Sequence, residues 1–262
     1  FPGNPIDAAF AEARQALGPN QTLESVTALL GQHPLKFHPG THWNYGISTD
    51  IVGRLVEILS GQRFDEYLRR EVFEPLGMLD TGFYVPEDQQ SRLAACYQYQ
   101  PGTTPRLMEG PFANGVLAPR PYLSGAGGLV STMHDYVAFC QMLANGGQLD
   151  GRRVLGRKTI ELMTVNHLPN GASLQDVAIG GFGEAGFEGV GFGLGFAVGL
   201  GPAATAMVGS GGEFYWGGAA STAFWVDPVE DLFVVFMTQL FPSIAYPFRA
   251  QLRALVYQAI DD

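Results

Sequence analysis

The sequence predicts an α+β fold, in which helices come first and an antiparallel sheet with a terminal helix comes last. Apolar residues recur at helical spacing through the first part of the chain, the period shortens after Asn166, and helical spacing returns near the C-terminus. The 262 residues, 46% of them hydrophobic and 15% charged, suffice for a sizeable core. Length and composition therefore allow one large domain or one domain of two lobes.

Helical spacing predicts a series of helices before the change of period. Two short helices are expected within residues 5–31, because the pattern breaks at Gly18. A longer helix starts at Ser48, with Ser48 or Thr49 as its cap, and stops before Gly61. Further helices are expected over residues 64–73, ending before Pro75, over 133–145 and over 157–165.

The helix after Thr132 has the clearest start signal. Asp135 stands three residues beyond Thr132, which is the spacing of a capping box. The predicted buried face of this helix consists of Met133, Tyr136, Val137, Cys140 and Leu143. The preceding residues 80–125 are rich in proline and predict a long connection with little regular structure.

The last part of the chain has the pattern of strands. Residues 192–200 and 205–208 predict short strands, and residues 219–226 and 232–238 predict an antiparallel hairpin. Apolar residues from Phe248 to Ala259 then return to helical spacing. This pattern predicts a C-terminal helix that covers one face of the sheet.

Charge and the rarer residues argue against several function classes. Asp and Glu outnumber Lys and Arg by 25 to 15, so a nucleic-acid partner is not expected. The longest apolar stretches are too short for a membrane span. Five scattered histidines and two cysteines predict no metal site, and no cofactor is expected. The glycines of residues 181–186 match a dinucleotide-binding pattern, but no helix follows, so we interpret them as a flexible loop.

Five short segments stand in a fixed order between residues 21 and 262. They are Phe37–Ile47 with the helix after it, Glu74–Met78 with Asp80-Thr81, Gly127–Thr132 with Asp135 and Asn145–Gly147, Gly193–Phe196, and Trp216–Ala219 with Phe224–Pro228. Each is weak alone. In this order they resemble the serine β-lactamase and penicillin-recognising family, within it most closely the class C β-lactamase and family VIII carboxylesterase branch.

The resemblance implies a β-lactamase-like fold, with an antiparallel sheet flanked by helices beside a mostly helical lobe. Residues 1–180 would form the mostly helical lobe and carry the segment around Tyr45. Residues 181–262 would form the sheet lobe with the C-terminal helix and carry the segment that starts at Trp216. The two parts would interleave into one catalytic domain.

In this family three elements build the active site: a Ser-x-x-Lys, a Tyr-x-Asn type triplet and a Lys-Thr-Gly on a strand. Tyr45-Gly-Ile occupies the second place here and Trp216-Gly217-Gly218 the third. The resemblance implies that Tyr45 is the proton shuttle, that Trp216, Gly217 and Gly218 bind substrate, and that the amide of Ala219 completes an oxyanion hole. Without the flanking motifs, Tyr45 would be interpreted as an ordinary loop tyrosine, and Gly217-Gly218 as the mark of a bulge in a strand.

Two departures from the family pattern bear on function. Ile47 replaces the amide side chain of the Tyr-x-Asn triplet, and no serine has a lysine three residues on, since His33 and Leu155 precede Lys36 and Lys158 at that spacing. The nucleophile motif is therefore absent from these 262 residues. We expect an N-terminal segment of the same precursor to supply the serine.

The resemblance implies a serine carboxylesterase-like hydrolase that acts on short-chain acyl esters through an acyl-enzyme. Trp216 replaces the lysine that binds a β-lactam carboxylate, so weak or no β-lactamase activity is expected. The expected partner is a small-molecule ester or amide. The alternatives are a non-catalytic protein that binds a small ligand or peptide in the same cleft, and an acyltransferase or D-amino-acid amidase of the same family.

Overall fold

The structure is a computed structural model, and it describes residues 4–179 and 188–261. The glycine-rich residues 181–186, interpreted above as a flexible loop, lie outside the described residues. Within residues 4–179 and 188–261 the chain forms helices, a five-stranded sheet and two smaller sheets.

The α-helices are distributed along the whole described part of the chain. They are α1 (Pro5–Ala16), α2 (Leu23–Leu30), α3 (Ser48–Ser60), α4 (Phe64–Leu68), α5 (Glu74–Leu76), α6 (Pro111–Asn114), α7 (Met133–Ala144), α8 (Arg157–Met163), α9 (Leu174–Val177), α10 (Pro202–Thr205) and α11 (Phe248–Tyr257). A π-helix, Arg69–Phe73, joins α4 to α5, and Glu87–Arg92 and Pro169–Gly171 form 3-10 helices. None of the helices in the described ranges is long and apolar enough to cross a membrane.

The strands are concentrated in the C-terminal third. They are β1 (Tyr97–Gln98), β2 (Arg106–Leu107), β3 (Gln148–Leu149), β4 (Arg152–Arg153), β5 (Val190–Phe192), β6 (Ala197–Gly199), β7 (Phe214–Gly217), β8 (Ala223–Asp227), β9 (Leu232–Phe236) and β10 (Leu240–Phe241). Strands β5 to β9 form an antiparallel sheet in sequence order. Strand β10 pairs with β1 in a separate three-stranded sheet, and β3 pairs with β4. The α+β fold class is confirmed.

One face of the five-stranded sheet packs against α7. Phe214 pairs with Val226, and Trp216 with Phe224, so their side chains share this face. The ring of Tyr136 on α7 contacts the ring of Phe224 edge-on, with centroids 5.5 Å apart. These residues belong to the main hydrophobic core.

The opposite face is covered by α11, as predicted. Arg253 lies 4.9 Å from the ring centroids of both Tyr215 and Trp225, which pair across β7 and β8. Its Nη1 donates to both carboxylate oxygens of the buried Glu213 at 2.6 Å. Tyr257 donates to Asp227 at 2.7 Å. A buried ion pair and a partly buried hydrogen bond therefore attach α11 to the sheet.

The start of α3 differs from the prediction in its cap. The helix begins at Ser48, but the N-cap is Ile47, and no side-chain hydrogen bond caps the helix. Ser48 and Thr49 already lie in the first turn, so the prediction that one of them is the cap was wrong. Asp50, buried in the same turn, accepts a hydrogen bond from Ser124 at 2.6 Å and places a negative charge at the positive end of the helix dipole.

The helix predicted over residues 64–73 continues past its expected end. The π-helix joins α4 to α5, so the helical backbone continues through Pro75 to Leu76. Pro75 is the second residue of α5, which follows the π-helix directly. Gly77, with φ of 71°, then ends the helix in the left-handed region.

Helix α7 confirms its predicted cap and corrects its predicted buried face. Thr132 Oγ1 accepts a hydrogen bond from the amide of Asp135 at 3.2 Å. The Asp135 carboxylate does not complete the capping box; it accepts from the amide of Asp80 and the hydroxyl of Thr81, each at 2.8 Å. Cys140, Leu143 and also Met142 are buried, whereas Met133 and Val137 are exposed.

The strand predictions are correct at the hairpin and wrong before it. Strands β8 and β9 form the predicted antiparallel hairpin, but β8 starts only at Ala223, because residues 218–222 form a turn. Residues 192–200 hold the end of β5, a turn and β6 instead of one strand. Residues 205–208 contain no strand, because Thr205 ends α10 and Ala206 adopts a left-handed conformation with φ of 53°.

Candidate active site

Tyr45 lies in the segment that leads into α3, and backbone hydrogen bonds hold this segment in place. The amide of Trp43 donates to the carbonyl of Val177 at 2.9 Å, and the amide of Ile179 donates to the carbonyl of Trp43 at 2.9 Å. The Asn44 side chain donates to the carbonyl of Tyr45 at 2.7 Å. Hydrogen bonds to residues 177–179 and to the side chain of Asn44 therefore hold the backbone around the half-buried Tyr45.

Trp216 and Gly217 form the C-terminal end of β7, and Gly218 opens the turn to β8. A Cβ atom on Gly217 would lie 2.3 Å from Nη2 of Arg249, and one on Gly218 would lie 2.3 Å from Oγ1 of Thr222. A side chain at either position would force the neighbouring side chain to move. The two glycines thus have a packing reason in this fold, in addition to any contact with substrate.

The structure brings Tyr45 and Trp216 together although they lie far apart in the sequence. Their rings are parallel within 8°, with centroids 6.4 Å apart. Phe192 contacts Trp216 edge-on at 5.7 Å and Trp43 edge-on at 5.4 Å. Four aromatic rings therefore form one apolar wall beside the hydroxyl-bearing Tyr45, and we call Trp43, Tyr45, Phe192 and Trp216 the aromatic wall.

Ala219 stands in the turn directly after Gly218. The amide of Gly218 donates to the carbonyl of Thr222, and the amide of Ser221 donates to the carbonyl of Gly218, each at 3.0 Å. The amide of Ala219 donates to no acceptor among residues 4–179 and 188–261. Ala219 is partly exposed, while Ala220 and Ser221 are buried. An available backbone donor at this end of β7 suits the predicted oxyanion role.

A second tyrosine next to the site is unsuited to act as a base. Burial raises the pKa of Tyr215 to about 12. Tyr215 points to the α11 face, away from Trp216. Its ring lies on the other side of the sheet, which leaves Tyr45 as the tyrosine of the aromatic wall.

Three residues of this region were not predicted from the sequence. Trp43 and Phe192 complete the aromatic wall, and Arg249 contacts the turn from α11. The alternation of Trp43 with Tyr45 was an available signal, because residues two apart share a face in extended chain. Nothing local marks Arg249, since its role depends on where α11 packs.

The described residues form no metal centre. No group of three or more His, Cys, Asp or Glu side chains within them is arranged to hold a metal ion. The thiols of Cys96 and Cys140 are both buried, and burial raises the pKa of each, to about 12 for Cys140. Neither thiol is therefore a ready nucleophile.

Comparison with known proteins identifies relatives along nearly the whole chain. The family model described as beta-lactamase matches residues 1–258. Protein Rv1367c of Mycobacterium tuberculosis is 31% identical over 244 residues, which cover 92% of this chain and 58% of the relative. Lovastatin esterase of Penicillium rubens is 30% identical over 241 residues, covering 87% of this chain and 58% of that enzyme.

Among solved structures, the chain is similar to EstCE1, a hydrolase with promiscuous acyltransferase activity. The TM-score is 0.76 at 25% identity, over 90% of this chain and 62% of that one. The 262 residues thus span about three fifths of the length of these three proteins. The family model covers nearly the whole chain, and this chain therefore belongs to the beta-lactamase family.

Proposed function

We propose that the protein containing this chain is a serine hydrolase that cleaves short-chain acyl esters through an acyl-enzyme. The observation that carries the proposal is the stacking of Tyr45 on Trp216, within the region where the amide of Ala219 is available as a donor. Acyl transfer through an acyl-enzyme requires a base and an oxyanion donor beside the nucleophile, and an apolar wall suits an apolar acyl group.

Each part has a defined chemical role. Tyr45 takes the proton of the nucleophilic serine and passes it to the leaving alcohol. The amide of Ala219 stabilises the negative charge on the tetrahedral intermediate, an interaction typically worth about 3 kcal/mol per donor. Trp216 and Phe192 present apolar surface to the acyl group or the alcohol.

The aromatic wall supports ester substrates over β-lactams. Trp216 offers one N–H donor and no charge at the position where the family's lactamases have a lysine. A net charge of -10 adds no attraction for an anionic substrate. The names of the relatives agree with this substrate class, since two of those reported above are an esterase and a hydrolase with acyltransferase activity.

We also propose that the nucleophilic serine lies on a segment of the precursor outside residues 1–262. No Ser-x-x-Lys occurs in the sequence, and the matched relatives are longer than this chain. An exposed apolar stripe on α3 supports an additional covering segment: Val52, Leu55, Ile58 and Leu59 are each about half exposed or more. Soluble monomers rarely leave such a contiguous patch uncovered.

The test uses the full-length polypeptide that contains this chain. We expect p-nitrophenyl butyrate to be hydrolysed with a kcat/KM at least 100-fold above that for nitrocefin. A serine-directed fluorophosphonate should label one serine, and peptide mapping should place it outside residues 1–262. Comparable kcat/KM values for the two substrates would contradict the proposed specificity, and a label within residues 1–262 would contradict the proposed location.

A second outcome of the same test identifies the alternative function. If the full-length polypeptide takes no label and cleaves no ester, the proposal of a hydrolase is wrong, and a non-catalytic binding protein explains the retained aromatic wall. Acyl transfer is separated from hydrolysis by adding butanol to the assay. Because EstCE1 is described as having acyltransferase activity, we expect butyl ester to form alongside the free acid.

A further inference from the structure

Arg249 on α11 reaches the turn that carries Ala219 from the far side of the sheet. We propose that Arg249 is a positioning residue, which orients the Gly218–Ala219 peptide so that the amide of Ala219 points away from α11. This inference rests on the proposed function of Ala219 as an oxyanion donor.

The guanidinium of Arg249 bridges the two ends of the turn. Its Nη2 donates to the carbonyl of Gly218 at 3.1 Å and to the carbonyl of Thr222 at 3.0 Å. A single planar cation thereby holds two carbonyls at a set separation. Hydrogen bonds from a charged donor are stronger than those between neutral groups.

Peptide geometry transmits this contact to Ala219. The Gly218 carbonyl and the Ala219 amide belong to the same peptide group, which is planar and trans. In a trans peptide the C=O and N–H bonds point in opposite directions. Because Arg249 holds the Gly218 carbonyl toward α11, the N–H of Ala219 is directed away from α11. Rotation of this peptide would break the bond to Arg249.

Gly217 makes the approach of Arg249 to the strand possible. A Cβ atom at Gly217 would lie 2.3 Å from Nη2, 2.6 Å from Cζ and 2.9 Å from Nε of Arg249. The guanidinium therefore occupies the space above the strand backbone that a side chain at this position would fill. Any larger residue would push Arg249 off the turn.

The opposite side of the turn is held by β10. The amide of Leu240 donates to the carbonyl of Ala220 at 3.0 Å, and the buried hydroxyl of Ser221 donates to the carbonyl of Leu240 at 2.6 Å. With Arg249 on one side and β10 on the other, the backbone around Ala219 has little freedom. The amide of Ala219 is left facing a partly exposed space.

Arg253 is a matched control one helical turn further along α11. It is buried and pairs with Glu213, and it donates no hydrogen bond to the turn. Arg249→Met and Arg253→Lys therefore alter the same face of α11 in different ways. The first removes the contact with the turn, and the second weakens the attachment of the helix to the sheet.

The experiment compares these variants in the full-length polypeptide with p-nitrophenyl butyrate and with a butylboronic acid. The boronic acid forms a tetrahedral adduct with the serine and so reports on the oxyanion donor. For Arg249→Met we expect kcat to fall about 10- to 100-fold, KM to change less than threefold, and boronate affinity to fall with kcat. Arg253→Lys should lower Tm and leave kcat within twofold.

Two further variants sharpen the test. Gly217→Ala should reproduce the loss of Arg249→Met, and the double variant should be no worse than either, because both disrupt one contact. Arg249→Lys should restore part of kcat. A kcat and boronate affinity within twofold of wild type in Arg249→Met would overturn the proposal, as would equal losses in Arg253→Lys.

A readout independent of activity separates this proposal from the proposed function. The NMR signal of the Ala219 amide should shift in Arg249→Met and stay in place in Arg253→Lys. If the wild type cleaves no ester, the proposed function is wrong and the NMR comparison alone tests the orientation of the peptide. An unmoved Ala219 signal in Arg249→Met would refute the positioning role.

Discussion

At the scale of single residues, the candidate site depends on which atoms the aromatic wall presents. Tyr45 supplies a hydroxyl, and Trp43, Phe192 and Trp216 supply apolar surface. The contacts of Tyr45 with Trp43 and Trp216 are made by its ring. Replacing Tyr45 by Phe keeps the ring and removes the hydroxyl that the proposed chemistry needs.

We expect Tyr45→Phe to lower kcat/KM for p-nitrophenyl butyrate by about 10²- to 10⁴-fold, the range for loss of general acid–base catalysis. The variant should still fold, because the phenyl ring keeps its contacts. Tyr215→Phe, on the opposite face of the same strand region, is the control and should retain activity. Near wild-type turnover in Tyr45→Phe would make Tyr45 a packing residue.

At the scale of elements, the N-terminus of α7 joins two parts of the helical region. Thr132 caps the helix, and the buried carboxylate of Asp135 accepts hydrogen bonds from Asp80 and Thr81. The capping pattern was visible in the sequence, but the partners of the carboxylate lie more than fifty residues away. A local signal thus predicted the helix start and missed its long-range contact.

We expect Thr132→Ala to lower the free energy of unfolding by about 1 kcal/mol, the usual cost of losing an N-cap. Asp135→Ala should cost more, about 3 kcal/mol, because it removes two hydrogen bonds to a charged acceptor and leaves their donors without it. Urea denaturation measures both, with Thr132→Ser as a control that keeps the hydroxyl. A cost near zero for Asp135→Ala would show that the contact with residues 80–81 contributes nothing.

At the scale of the whole molecule, several tyrosines are partly buried in different parts of the structure. Burial raises the pKa of Tyr122 and of Tyr215 to about 12, and it raises the pKa of Tyr136 and Tyr257 as well. At Tyr257 the hydrogen bond to Asp227 adds to the effect. A folded-state pKa above 10 stabilises the fold fully below pH 10 and less as the pH rises further.

The free energy of unfolding should therefore fall as the pH rises above about 10, because the unfolded chain releases these protons first. Each such tyrosine contributes up to about 1.4 kcal/mol per pH unit. Tyr215→Phe should make the fall between pH 10 and 12 shallower by about that amount. Urea midpoints at pH 9, 10.5 and 11.5 test this, with the exposed Tyr84→Phe as the control. An unchanged slope in Tyr215→Phe would contradict it.

The sequence alone determined the elements that depend on neighbouring residues. The helices that became α1, α2, α3, α7, α8 and α11, and the hairpin of β8 and β9, follow from spacing and capping within one or two turns. At residues 205–208 and at Pro75 the observed backbone differs from the local pattern: a helix ends at Thr205, and helix continues through Pro75. The positions of Tyr45, Trp216 and Ala219 came from ordered motifs that resemble a family.

Only the tertiary structure decided which of these residues meet. The stacking of Tyr45 on Trp216, the completion of the wall by Trp43 and Phe192, and the contact of Arg249 with the turn join segments remote in sequence. Periodicity records whether a residue faces inward but not which surface it faces. The surface that a residue faces is set by how whole elements pack, because non-local contacts depend on the shape of the entire core.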